Sequence, residues 1–260
     1  MGSLIDAFEN KLIDHILKNT ALTQPTNLYV GFSTADPTES GSGIAEPSGG
    51  NYARALCNVW DTAASRATQN TNQIDFNQAS ASWGTIAYWF IADDISAGNL
   101  IAYGSFTISK TINTGNTPFI KAGEIDVSIS TGGVTTYLAN KLLDHIFKNT
   151  AYTQETNLYV GVSTSDPTDA GLLTGEPSGN AYARVNVNTW DTAASGASAN
   201  TNAITFTEAT GSWGTLAYGF IADASSAGNI LLYGALGASQ AITTNDVLEF
   251  AAGDYDVTLT

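Results

Sequence analysis

Few side chains in this sequence are suited to acid–base or nucleophilic chemistry, because it contains only two histidines and one cysteine. His15 and His145 occupy the same place in two similar segments, "LIDHILKN" and "LLDHIFKN". A Ser–His–Asp triad needs its histidine beside a nucleophile and an orienting acid, and no spacing here indicates one. The two histidines also lack the spacing of a zinc site. We therefore interpret them as boundary or capping residues of amphipathic helices.

Carboxylates in loops are the other candidates for chemistry. Asp36, Glu39 and Glu46 lie in "ADPTESGSGIAEPSGG", and Asp93 and Asp94 lie in "IADDIS". Such carboxylates can hold calcium, but the D-x-D-x-D-G pattern is missing, so solvated loops are the preferred interpretation. A glycosidase would need two carboxylates at a defined separation, and the sequence fixes no such pair. We predict no enzyme activity, no metal and no cofactor.

Charge and composition exclude several classes of partner. The net charge is −15, the isoelectric point is about 4.1, and nine lysines and arginines are scattered along the chain. A surface that binds nucleic acid or anionic membrane needs clustered basic residues, so neither partner is expected. No apolar stretch could cross a bilayer, and "MGSLIDAFENK" does not have the pattern of a signal peptide. Cys57 aligns with Val187, which indicates a small apolar core position.

The sequence repeats itself at an offset of 130 residues. "NLYVGFSTADPT" at 27–38 returns as "NLYVGVSTSDPT" at 157–168, and roughly 68 of 121 aligned pairs are identical without a gap. Each copy has the size of an independent domain. The linker "STGGVTT" lies between them. We predict two domains, residues 1–131 and 132–260.

Each copy is predicted to begin with a helix and continue as strands. The apolar residues of "LIDAFENKLIDHILKN" form one helical stripe, and Ser3 is a candidate N-cap. Alternating segments such as "NLYVGFST", "WGTIAYWFIAD", "NLIAYGSF" and "EIDVSIS" predict strands. The predicted class is mainly β, with two similar tandem domains. Each domain would comprise an N-terminal α-helix and a small antiparallel β-sandwich or barrel.

Residues that recur in both copies are predicted to be structural anchors. Tryptophans recur within segments of strand character, where they suit core positions; they are Trp60, Trp83, Trp190 and Trp213. Arg54 and Arg184 also recur, and a strand arginine in a chain with few charges is expected to pair with a carboxylate. Glu46 and Glu176 are the expected partners. Contact of these arginines with an anionic ligand is the alternative.

Residues that differ between the copies indicate where each copy meets a distinct neighbour. Residues 105–121 differ strongly from residues 235–251, and Trp89 is replaced by Gly219. Because an anchor of the common fold would recur, we interpret Trp89 as a candidate exposed contact. Exposed aromatic rings can stack on sugars, so Trp89 also raises the possibility of a carbohydrate site.

The segments "ENKLIDHILKNTALTQPTNLYVGFSTADPTESG", "EPSGGNYAR", "ASWGTIAYWFIAD", "AGNLIAYGS" and "KAGEIDVSIS" resemble a family of tailed-bacteriophage virion proteins. Members of this family are often called phage tail fibre proteins. The resemblance extends over essentially all of each copy and implies a component of the virion, assembled in the host cytoplasm. It brings no catalytic residues. The family unit is typically a single module, so the duplication departs from the family pattern.

The first functional hypothesis is a non-enzymatic structural protein on the outside of a phage particle, acting by subunit packing. Capsid decoration or cement is slightly preferred over a tail or fibre component. The expected partners are the chain itself and other virion proteins, such as the major capsid or tail proteins. A trimer of two-module chains would present six similar modules and suit a pseudo-hexameric site.

Two other hypotheses belong to different classes of protein. A tandem carbohydrate-binding or adhesin module would use loop Trp, Tyr, Asn and Asp side chains as a sugar platform. A hydrolase is the least favoured, because no nucleophile–base pair or metal constellation is found.

Overall fold

A computed structural model describes residues 2–130 and 133–259 and is mainly β, as predicted. The first copy contains one helix and nine strands, most of them short. They are β1 Ser3–Leu4, α1 Asp6–Leu17, β2 Tyr29–Ser33, β3 Ala55–Leu56, β4 Ala67–Gln69, β5 Ile74–Asp75, β6 Gly84–Ala92, β7 Leu100–Ile112, β8 Phe119–Ile120 and β9 Asp126–Ser128.

The second copy repeats this order of elements without a described counterpart of β1. Its elements are α2 Thr136–Phe147, β10 Tyr159–Ser163, β11 Val185–Asn186, β12 Ala197–Ala199, β13 Ile204–Thr205, β14 Gly214–Ala222, β15 Ile230–Ile242, β16 Glu249–Phe250 and β17 Asp256–Thr258. The duplication in the sequence is therefore a duplication of local structure.

Each copy forms one larger sheet and two small ribbons, and all strand pairs are antiparallel. The larger sheets have the orders β1-β7-β6-β2-β3 and β11-β10-β14-β15. The ribbons are β4-β9 and β5-β8 in the first copy, and β12-β17 and β13-β16 in the second. The antiparallel arrangement is confirmed, and no sheet among the described strands closes into a barrel.

The hairpin of β6 and β7 is the centre of the larger sheet in the first copy. Its inner half is almost entirely apolar, and Phe90, Ile91 and Ala92 are fully buried. At the turn between the two strands, the Asp93 carboxylate accepts hydrogen bonds from the backbone and side-chain amides of Asn99. The buried face fixes the register and the Asx-type contact fixes the turn, so the hairpin is specified at both ends.

The two helices are capped differently. Ser3 is not the N-cap that the sequence suggested, because it lies in β1 and pairs with Tyr103, while α1 begins at Asp6. In the second copy, the Thr135 hydroxyl accepts a hydrogen bond from the backbone N–H of Leu138 at 3.3 Å. That is the standard N-cap contact.

The compact units differ from the predicted domains 1–131 and 132–260 at the helices. The first unit comprises described residues of 1–9, 23–129 and 140–152, and the second comprises those of 10–22, 130–139 and 153–260. Each unit therefore contains most of the helix that belongs to the other copy. Because the copies share most of their residues, either helix offers nearly the same apolar stripe to either β core.

In the first unit, α2 is bound by hydrogen bonds to one backbone loop. The Asn140 side chain accepts a hydrogen bond from the N–H of Arg66 at 2.9 Å, and the Asp144 carboxylate accepts one from the N–H of Ala63 at 2.8 Å. These two side chains are four residues apart and lie on one face of the helix. They satisfy loop donors that have no strand partner, so the helix completes the unit.

The second unit repeats this contact with α1. The Asn10 side chain accepts a hydrogen bond from the N–H of Gly196 at 2.8 Å, and the Asp14 carboxylate accepts one from the N–H of Ala193 at 2.9 Å. Apolar residues of the same helix, including Leu12 with no exposed surface, are buried. Each helix thus joins apolar burial to hydrogen bonds that fix its position along the loop.

The exchange predicts an energetic coupling between Trp60 and Phe147, whose rings lie 4.6 Å apart in the first unit. A double-mutant cycle of Trp60→Phe and Phe147→Leu, measured by chemical denaturation, should give a coupling of about 1 kcal/mol. The control cycle pairs Phe147→Leu with Trp190→Phe, because Trp190 belongs to the other unit. Equal coupling in the two cycles would contradict the exchange.

Glu9 is a buried carboxyl in the first turn of α1, with 5% of its surface exposed. Burial, followed by the nearby carboxylates of Glu39 and Asp6, raises the pKa of Glu9 from 4.5 to about 7. Glu39 also accepts a hydrogen bond from the Tyr103 hydroxyl at 2.7 Å, which holds its charge close by. The equivalent residue in the second copy is Ala139, so only the first copy has a carboxyl buried at this position.

The raised pKa of Glu9 gives stability a defined pH dependence. Because the folded protein holds this proton more tightly than the unfolded chain, stability is greatest below pH 4.5 for this group and is lost as the pH rises through about 7. Glu9→Gln should therefore raise the free energy of unfolding by about 2 kcal/mol at pH 8 and change it little at pH 4. Exposed Glu208→Gln is the control, and an equal gain at both pH values would refute this account.

Candidate functional site

The four recurring tryptophans are buried, and each indole N–H donates a hydrogen bond to a backbone carbonyl. Trp60 donates from Nε1 to the Cys57 carbonyl at 2.8 Å, and Trp83 donates to the Gly50 carbonyl at 2.9 Å. The equivalents Trp190 and Trp213 make the same contacts with the carbonyls of Val187 and Asn180. Each indole therefore attaches a loop to the core.

Arg54 fixes two loops in the first unit. Its guanidinium donates from Nε and Nη2 to both oxygens of Glu46 at 2.9 Å, which is the pairing expected from the sequence. Nη1 donates to the carbonyls of Asp94 and Ala97, and the guanidinium carbon lies 4.9 Å from the ring centre of Phe90. All three guanidinium nitrogens therefore donate hydrogen bonds within the unit, which gives Arg54 a structural role.

Arg184 repeats the arrangement in the second unit. It donates to both oxygens of Glu176 at 2.7 Å and to the carbonyls of Ala224 and Ala227 at 2.6 and 2.8 Å. Its guanidinium carbon lies 5.1 Å from the ring centre of Phe220. The same set of contacts in both units indicates that the fold requires this arginine, as an anchor for the long loop.

The histidines also serve the fold. Nδ1 of His15 lies 3.1 Å from the backbone nitrogen of Leu22 and 3.0 Å from the carbonyl oxygen of Thr20, and Nδ1 of His145 lies 3.0 Å from the backbone nitrogen of Tyr152. Both rings are buried and hold the chain that leaves the helix. Within residues 2–130 and 133–259, no group of three His, Cys, Asp or Glu side chains could hold a metal ion.

Trp89 is not an exposed contact, and the interpretation from the sequence is wrong. Only 1% of its surface is exposed. The indole lies over Gly104, its partner across the β6–β7 ladder, and over Gly2. Two positions without side chains make room for the ring, so Trp89 belongs to the core of the first unit.

The second unit places a different ring beside this position and leaves the space over Gly234 open. Gly219 replaces Trp89, and Tyr255 replaces Ile125. A Cβ added to Gly219 would lie 2.6 Å from the Tyr255 hydroxyl, so the tyrosine reaches the space that an indole fills in the first unit. Burial raises the pKa of Tyr255, which stays protonated in the folded protein. The two units share an outline but are packed differently here.

This difference predicts that the same substitution at two equivalent glycines will lower stability by different amounts. A Cβ at Gly104 would lie 2.4 Å from Cζ2 of Trp89 and 3.0 Å from Cα of Gly2, whereas a Cβ at Gly234 would meet no atom within 4 Å. Gly104→Ala should lower the free energy of unfolding by about 2 kcal/mol, and Gly234→Ala by less than about 0.5 kcal/mol. Equal losses in thermal or chemical denaturation would contradict this packing.

A groove runs along the outer half of β7 in the first unit, and we call it the β7 groove. Its volume is about 520 Å³. Lys110 and Lys121 line it together with one carboxylate, Glu124, and with the apolar side chains of Ile108 and Phe119. Both apolar side chains are about half exposed or more, with Ile108 at 83%.

A large β-bulge shapes the β7 groove. The ladder between β6 and β7 pairs Ile86 with Lys110 and Tyr88 with Ser105. The four residues Phe106–Ser109 therefore lie opposite Ala87 alone. Such a bulge interrupts pairing and turns side chains outward, which explains the exposure of Ile108.

The second unit has an equivalent groove along β15, which we call the β15 groove. Its volume is about 610 Å³, and a bulge at Leu236–Ser239 lies opposite Ala217. Its lining contains three carboxylates, those of Glu249, Asp254 and Asp256, and no lysine or arginine among the described residues. The two grooves therefore overlap in position along the outer half of the long strand and differ in charge.

The sequence signalled these grooves only indirectly. Residues 105–121 and 235–251 differ strongly between the copies, and they supply most of the lining of the β7 groove and part of the lining of the β15 groove. The sequence did not predict β8, the bulges, or the extension of β7 to Ile112. No helix in the described part of the chain is both long and apolar enough to cross a membrane.

The fold is that of a tandem, mainly β protein, and its two copies differ in the charge of their surface grooves. A family model described as Podophage GP4 fiber I protein gp80 matches residues 3–128 and again residues 133–258. The chain belongs to this phage fibre family, in a tandem form. This match confirms the resemblance to phage fibre proteins and the duplication. A comparison with curated proteins finds no match.

Proposed function

We propose that this chain is a non-enzymatic structural subunit of a fibre on a tailed-phage virion and that it acts by subunit packing. The observation that supports this most directly is the fibre-family match over both copies, which together span nearly the whole chain. The low content of charged residues and the two exposed grooves fit a protein that binds other virion proteins.

The contacts of the polar residues support the absence of an enzymatic role. Arg54 and Arg184 are engaged by carboxylates and carbonyls, and His15 and His145 hold loops behind the helices. A catalytic base or an oxyanion donor must be available to a substrate. These side chains are instead committed to backbone and core contacts.

A fibre subunit and a capsid decoration protein would occupy different positions in the particle. The composition and the two compact copies slightly favour capsid decoration, whereas the family description favours a fibre. A trimer with six similar modules stays a prediction, and it requires a copy number in multiples of three. The sugar-binding alternative loses the residue that motivated it, because Trp89 is buried.

The test is immunogold labelling of intact particles with an antibody raised against the purified chain, viewed by negative-stain microscopy. Label on fibres or at the tail vertex is the expected result. Label spread evenly over the head would replace the fibre proposal with capsid decoration. Particles without label would overturn a virion role, provided that an antibody to the major capsid protein labels the same preparation.

A further inference from the structure

The lysines of the β7 groove have a setting unlike that of the other basic residues. Of the nine lysines and arginines, four lysines lie on or next to the helices, and Arg54 and Arg184 are paired with glutamates. Arg66 is buried. Lys110 and Lys121 are exposed and lie together in one groove, on a chain whose net charge is −15.

The β15 groove has the complementary charge, and part of this difference arises at equivalent positions. Lys110 and Lys121 align with Gln240 and Ala251, and Phe119 aligns with Glu249. The lining of this groove therefore has three carboxylates where the β7 groove has two lysines and one carboxylate. Opposite charges on surfaces of similar size favour encounter and set the orientation of binding.

The apolar side chains show the same asymmetry. Ile108 and Phe119 are exposed at the β7 groove, and their equivalents are Ala238 and Glu249. Large exposed apolar side chains ringed by polar groups are typical of an interaction site. The small Ala238 and the glycines Gly234 and Gly237 leave room in the β15 groove for a projecting side chain.

Pairing of identical grooves is disfavoured by charge. Two β7 grooves would bring together four lysines and two carboxylates, with an excess of positive charge, and two β15 grooves would bring six carboxylates together. Like charges placed opposite one another at an interface oppose association. The acceptable pairing within a population of identical chains is therefore between unlike grooves.

We propose that the β7 groove of one chain binds the β15 groove of a second copy of this chain. The inference rests on the proposed function, since it names the partner of the structural subunit. Ile108 and Phe119 provide the apolar centre, and Lys110 and Lys121 pair with Glu249, Asp254 and Asp256. Such a contact is heterologous, so a bound pair of chains leaves one groove of each kind open for further chains.

The experiment measures self-association of the full-length chain by sedimentation velocity. Wild type should exceed the 27.1 kDa of one chain and should associate at least about tenfold more weakly in about 500 mM than in about 50 mM NaCl. The first variant, Lys110→Glu with Lys121→Glu, has two acidic grooves. The second, Glu249→Lys with Asp254→Lys, has two basic grooves.

Each variant alone should be monomeric, and a mixture of the two should associate, because the acidic grooves of one then meet the basic grooves of the other. Ile108→Ser should weaken association by about tenfold without a change of charge. The control variant, Asp36→Lys with Asp166→Lys, alters charge by the same amount as the second variant, outside both grooves, and should associate like wild type.

A wild-type chain that stays monomeric in low salt would overturn the proposal, as would a mixture of variants that does not associate. Binding of a soluble anionic polymer such as dextran sulfate by a monomeric wild type would assign the lysines to an anionic glycan instead. These solution results do not depend on where the antibody labels the particle. Failure of this proposal therefore leaves the fibre assignment to its own test.

Discussion

The docking of each helix onto β segments of the other copy is the contact on which the rest of the structure depends. Asp144 and Asp14 accept hydrogen bonds from the N–H groups of Ala63 and Ala193 in equivalent loops. Carboxylate acceptors of backbone N–H groups form relatively strong hydrogen bonds. The helix also covers apolar surface, so the sheets and ribbons of either unit are complete only when the other half of the chain contributes its helix.

Duplication with exchange explains which residues recur and which vary. Arg54 and Arg184 fix the same loops, and the recurring tryptophans attach the same carbonyls, because both units need the same closure. Trp89 and Gly219 vary because the first unit buries an indole at this position, whereas Tyr255 approaches it in the second unit. The grooves vary most, and they contribute least to the core. Divergence is therefore concentrated at a surface where it changes charge and shape rather than the core.

Much of the fold follows from patterns in the sequence. Period-two alternation located β2, β6 and the inner part of β7, and the apolar stripe located α1. The pairing of Arg54 with Glu46 followed from the scarcity of charge. The exchange of helices did not follow, because both copies offer nearly the same stripe to the same loop. The burial of Trp89 was also hidden, since it depends on cross-strand Gly104, which is distant in sequence.

The exchanged helices also determine how the chain would respond to a cut or a pull. The linker at 131–132 is the covalent joint between the copies, yet each compact unit contains residues from both sides of it. A protease that cleaved this joint would leave two fragments that hold each other by their helices. Tension applied across either unit would likewise be resisted by the buried side chains of its helix, because each unit contains residues from both copies.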